Sequence, residues 1–153
     1  KEMAAHGFHP LNDVGRLVRE GFYLAGVTDL WTHSGAAMAA LSGAPAKDFV
    51  LLLSHNPDTA MRPESAKADL QLGGHTHGGQ ITFFGLFKPA LYRVSDYGHT
   101  FGGGWAHLTT GPDVYVSKGA GYDEKWWYPR IFAHPELPII TLQSMEAPTG
   151  EIP

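Results

Sequence analysis

The chain has 153 residues, 43% of them hydrophobic and 17% charged, with a net charge of −4. That size suits one folded domain, and the balance excludes a disordered charged tail and a nucleic-acid binder that works through a basic field. Cysteine is absent, which excludes disulfides, thiolate zinc sites and cysteine nucleophiles, while nine histidines offer metal ligands and acid–base groups.

Residues 1–8 read as a helix end stopped by Gly7. HPLND follows as a short strand closing in the Asn12-Asp13 turn, and VGRLVRE then pairs with GFYLAGVTD as a hairpin around Glu20-Gly21. The apolar run Phe22 to Val27 should be buried. Ser34 is placed to cap a helix through GAAMAALSG that stops at Gly43, before Pro45. Phe49 to Leu53 (FVLLL) has the length and continuity of a strand covered on both faces, and it ends in the polar string SHNPD. Ala60 to Ala68 is a weak helical segment broken at Pro63. Leu70 and Leu72 lead into GGHTHGGQ.

Residues 81–112 read as a long packed loop with short strands, Val114 to Ser117 as a strand, and Pro138 to Leu142 as a closing strand. The aromatic run Trp126-Trp127-Tyr128 suggests an exposed lip or core packing. Residues 1–145 form part of one domain on this reading, and 146–153 a disordered tail. The pattern predicts an α/β (α+β) fold, a sheet with helices beside a more antiparallel sheet. No apolar run reaches the roughly 20 residues that span a bilayer and no secretory signal pattern opens the chain, so the expected location is cytoplasmic or peripheral to a membrane.

The chemistry concentrates in two strings. In GGHTHGGQ, His75 and His77 stand two apart between paired glycines, a spacing that lets both imidazoles face one ion or two adjacent ions. In SHNPD, His55 follows the FVLLL strand directly, where open α/β sheets collect active-site residues. Three histidines could hold one zinc, with Asp29 and Asp58 the nearest candidate anions, although Asp29 reads better as a turn or N-cap residue. Arg130 and Lys118 are candidate phosphate contacts, the first bidentate and the second a point charge.

The order LAGVTD, FVLLLSHNPD, DLQLGGHTHGGQI, VYVSKGAG, YPR and PELPIITL resembles the carboxyl-terminal half of the calcineurin-like metallophosphoesterases. The likeness runs from about Leu11 to Leu142, nearest to the bacterial phosphodiesterase branch with its membrane-associated and UDP-2,3-diacylglucosamine-cleaving enzymes. It implies a four-layer αββα sandwich, here only its C-terminal half. It also implies two divalent metal ions (Mn, Fe, Zn or Mg) bridged by a hydroxide that attacks phosphorus. By motif, His55 and His75 would bind one ion and His77 the other. The family's D-x-H, G-D and G-N-H-[DE] motifs are absent from this sequence, so no catalytic residue is assigned within it.

The function implied is a metal-dependent phosphoester hydrolase, a phosphodiesterase or pyrophosphatase, of which this chain holds the histidine ligands. Its partners would be a phosphoester substrate, lipid-linked or nucleotide-linked, and a missing N-terminal half. Without that half, the sheet edge near FVLLL should be exposed. The alternative is a non-catalytic fragment or assembly module that needs a partner half.

Overall fold

The computed structural model describes residues 5–33, 36–121 and 130–144. The expected cap Ser34, the WWY run and the tail from 146 lie outside the described residues. Gly7 has the positive φ of a helix stop, at 81°.

Strand β1 (Val14–Arg19) turns at Glu20-Gly21 into β2 (Phe22–Gly26), and the two pair antiparallel as the hairpin pattern predicts. Helix α1 (Ala36–Leu41) then crosses to β3 (Phe49–Leu53), which lies parallel to β2. The segment after β3 winds as two 3-10 turns, Pro57–Met61 and Pro63–Lys67. They separate at Arg62, because Pro63 cannot donate to the turn before it. Strand β4 (Leu70–Gly73) lies parallel to β3. A one-turn helix α2 (Leu91–Val94) and the short strand β5 (Gly104–Ala106) precede β6 (Asp113–Val116). The result is one mixed α/β sheet of six strands, in the order β1-β2-β3-β4-β6-β5.

Three expectations change. HPLND forms no strand: Pro10 lacks a donor and Asp13 takes a positive φ of 59°, so pairing begins only at Val14. Pro138 to Leu142 forms no strand either. Pro135 and Pro138 remove donors from this stretch, and Ile139 stands almost fully exposed. FVLLL is not near a sheet edge, because β2 and β4 flank it. The edges are β1 and β5.

What remains open is a face. Tyr23, Ala25, Val50, Leu52, Gln71, Val114 and Val116 point to one side and are all buried. Over the β2–β3 part of that side packs α1, through Ala37, Ala40 and Leu41. Gly15 permits the close approach: a Cβ there would collide with the Ala40 carbonyl and the Tyr23 hydroxyl, which themselves hydrogen-bond at 3.1 Å. The other side carries Phe22, Leu24, Phe49, Leu53, Leu72 and Trp105, all partly or largely exposed, around the buried Leu51 and Leu70. FVLLL is therefore covered along one face, with Leu52 at 0% exposure, while on the other Leu51 is buried and the ends Phe49 and Leu53 are both 37% exposed.

Candidate functional site

Strands β2, β3, β4 and β6 run parallel, so their carboxyl ends share one border of the sheet. Asp29, His55, His75 and Lys118 follow those ends in turn. The backbone ties the loops together there. Ser54 N–H donates to the Leu72 carbonyl at 3.1 Å, and Gly74 N–H to the His55 carbonyl at 3.0 Å. His55 and His75 thus leave adjacent strands side by side.

Their rings meet at 5.1 Å between centroids, tilted 75°, with His55 Nε2 and His75 Nδ1 3.3 Å apart. At that distance one nitrogen donates a hydrogen bond and the other accepts, as the tautomers dictate. The spacing also suits a shared ion: two imidazole nitrogens on a tetrahedral cation lie roughly 3.3 Å apart when each bond is roughly 2.05 Å. The indole of Trp31 covers His75 edge-on at 4.6 Å. His75 Nε2 is buried without a well-formed hydrogen bond among the described residues. Burial, and then the neighbouring His55, hold the His75 pKa below its usual value, against weaker pulls from Asp29, the Val94 carbonyl and Asp58. A neutral imidazole is the form that binds a metal.

The turn carrying these histidines is wound tightly. His75, His77, Gly78, Gly79 and Gln80 all have positive φ, between 51° and 86°. Three of them are not glycine, a conformation that costs of order 1–3 kcal/mol each and persists only where the surroundings enforce it. Arg130 ties the turn to its neighbours. Its Nη1 donates to the carbonyls of His77 (3.3 Å) and Ala133 (3.2 Å), its Nη2 to that of Lys118 (2.6 Å), and its Nε to that of Gly121 (2.7 Å). The stem of Lys118 lies over Gly78, and its ammonium pairs with Glu136 at 3.1 Å. Both cations that the sequence offered as phosphate contacts therefore brace the histidine turn.

The candidate carboxylates serve the backbone. Asp29 Oδ1 accepts from Trp31 N–H at 2.9 Å, a turn geometry. Asp58 is buried and accepts from Ser95 Oγ at 2.6 Å and Asp96 N–H at 2.9 Å, anchoring the loop after α2. No group of three or more histidine or carboxylate side chains that could hold a metal converges among the described residues. The pair His55–His75 stands without a third such ligand, and one zinc held by three histidines has no geometric support there.

Sequence reasoning did not find the Trp31 contact or the Asp13 cluster. Asp13 accepts from the Thr28 amide (2.7 Å) and hydroxyl and from His33 Nδ1 (2.7 Å), joining the start of β1 to the end of β2. Neither has a local signal, since the partners are 15 or more residues apart. A groove of about 520 Å³ opens beside the pair, floored by Leu11, Val27, Leu53 and Leu72 with His9 and His55 on its rim.

Comparison with known proteins bears on the family. The chain is 34% identical over 124 residues to the uncharacterized metallophosphoesterase YkuE of Bacillus subtilis, matching 79% of this chain and 40% of that protein. It is 39% identical over 95 residues to the uncharacterized metallophosphoesterase Cj0846 of Campylobacter jejuni, 61% of this chain and 22% of the relative. An uncharacterized metallophosphoesterase of Aquifex aeolicus is 32% identical over 107 residues, 69% of this chain and 37% of its own. No family model matches the chain, and no solved structure does. Through these relatives the chain belongs to the metallophosphoesterases, as a portion of that family's length, and its α/β sheet is in keeping with that. It spans at most 40% of the length of these relatives. Among the described residues no helix is long and apolar enough to cross a membrane.

Proposed function

We infer that the chain supplies the histidine side of a dinuclear metal centre in a phosphoester hydrolase of the calcineurin-like type, acting as a phosphodiesterase or pyrophosphatase. The observation that carries this reading is the His55–His75 pair, 3.3 Å between nitrogens at the carboxyl border of the sheet. On this reading His55 and His75 hold one divalent cation and His77 the other, with the carboxylate and asparagine ligands contributed from outside this sequence. Two such ions, if bound, would supply an acidified water as nucleophile and positive charge for the phosphoryl oxygens.

The chain's own residues do the positioning. Arg130 holds the His77 carbonyl, Trp31 packs edge-on against His75, and burial favours the neutral form of His75 that can ligate. The remaining Nη2 proton of Arg130 and the ammonium of Lys118 are secondary contacts for a substrate phosphate. A second reading, a non-catalytic module completed by a partner half, is favoured by the open apolar face of the sheet.

The test is Mn²⁺ titration of the 153-residue chain together with hydrolysis of bis-p-nitrophenyl phosphate. Metal affinity should fall at least about ten-fold in His75→Ala, and turnover by the chain alone should be slight. Unchanged affinity in His75→Ala would remove the proposed ligand. Metal-independent turnover would remove the metal-dependent mechanism altogether.

A further inference from the structure

After β2 the chain closes a turn whose two flanks are held by one carboxylate. Asp13, just before β1, accepts from the Thr28 amide (2.7 Å) and hydroxyl (2.8 Å) through Oδ1, and meets His33 Nδ1 at 2.7 Å through Oδ2. Between those flanks the turn is tied off within itself. The Asp29 carbonyl accepts from the N–H groups of Thr32 (3.0 Å) and His33 (3.1 Å), and its side chain from Trp31 N–H (2.9 Å).

Trp31 stands in the middle of this turn. Its side chain is 66% exposed, so burial in the core does not place it. The turn does, and it brings the indole edge-on to His75, at 4.6 Å between centroids and 85° between planes. Aromatic pairs favour that arrangement.

His75 depends on such a neighbour. An imidazole that ligates a metal is ordinarily aimed by a hydrogen bond from its other ring nitrogen to a carboxylate, carbonyl or water. Here Nδ1 faces His55, and Nε2 is buried without a well-formed hydrogen bond among the described residues. The ring is aimed by its contacts with His55 and Trp31 instead.

We propose that Asp13 is a positioning residue for the histidine border. By clamping the turn from Thr28 to His33 it lays Trp31 against His75, and so sets the angle at which His75 presents its nitrogens to a divalent cation. The metal-binding part rests on the ligand role given to His75 under the proposed function; the orienting part does not.

Proton–carbon NMR of the histidine rings in the metal-free 153-residue chain tests the orienting part, with the His75 line assigned by its loss in His75→Ala. Trp31→Ala should move that line by removing the indole ring current, and Asp13→Gly should move it in the same direction. Glycine takes the φ of 59° at position 13 freely, so this variant removes the carboxylate without straining the backbone. Asp13→Asn keeps one acceptor oxygen for Thr28, should fall between, and carries the test if Asp13→Gly does not fold. Asp113→Asn, which breaks the like pair with His107 on the β5–β6 ribbon, should leave the line in place. Mn²⁺ affinity should fall about ten-fold in Trp31→Ala and Asp13→Gly, with Trp31→Phe restoring most of it. A His75 line that stays put in a folded Asp13 variant would overturn the proposal, whether or not metal binds. So would wild-type Mn²⁺ affinity in Trp31→Ala and Asp13→Gly alongside a loss in His75→Ala. Equal affinity in wild type and His75→Ala marks failure of the ligand reading instead, a result on which the metal-free line does not depend.

Discussion

The two faces of the sheet are built from the same strands, one residue out of phase, yet they have different fates. On the closed face Leu52 lies under α1 among Ala25, Val50 and Ala40, and Gly15 lets the helix come close. On the open face the next residue, Leu53, borders a groove with Leu11, Val27 and Leu72. Parallel strands are ordinarily covered on both sides, so a face buried at Leu51 and Leu70 but open at Leu53 and Phe49 is only partly covered by this chain. A second sheet of the αββα sandwich is the cover we propose for the open side, in keeping with relatives much longer than this chain.

The largest effect that would sharpen this contrast is at neighbouring leucines. Leu52→Ala should destabilise the chain by about 2–5 kcal/mol in urea unfolding, and Leu53→Ala by about 1 kcal/mol or less. Equal losses at the two positions would mean that the open face is covered in solution. Asp58→Ala comes next, at about 2–3 kcal/mol, because it strands the buried Ser95 hydroxyl and the Asp96 amide. Hydrogen exchange should quicken around residues 95–97 in that variant while the α1 face stays protected.

Gly15→Ala should cost about 1–3 kcal/mol by forcing α1 away from the sheet, and near-ultraviolet dichroism should report the displaced Tyr23. A tolerated alanine would mean that α1 packs more loosely than drawn.

The smallest effect is at Asp13. The Thr28 amide, then its hydroxyl and His33, hold this carboxyl below its usual value despite some burial. The folded state therefore binds its proton less readily than the unfolded chain does. The resulting stability is present above about pH 4 and fades as the pH falls through the carboxylate range. Asp13→Asn should flatten that part of an acid-unfolding curve and leave neutral-pH stability lower by about 1 kcal/mol.

What could be read from the sequence was whatever rests on neighbours along the chain. The hairpin at Glu20-Gly21, the FVLLL strand and the strand leading into GGHTHGGQ each carry their own turn or apolar signal. His55 and His75 could be placed together because each follows a strand, and parallel strands end on one border. The pairing of β4 with β6 joins residues about 40 apart and left no local trace, so the β5–β6 ribbon looked like part of a second sheet. The backbone contacts of Arg130 and Asp58 went unread for a related reason. A charge announces itself in a sequence, but the carbonyls and amides that occupy it do not.

The wound histidine turn has a consequence for how tightly anything can bind there. Its unusual backbone angles are held by Arg130 and by the Gly74–His55 hydrogen bond before any ligand arrives. A floppy loop would have to freeze on contact, and that lost freedom would be subtracted from the affinity. Here the ordering is already part of the folded state, so whatever the two imidazoles capture keeps nearly the whole of its bonding free energy.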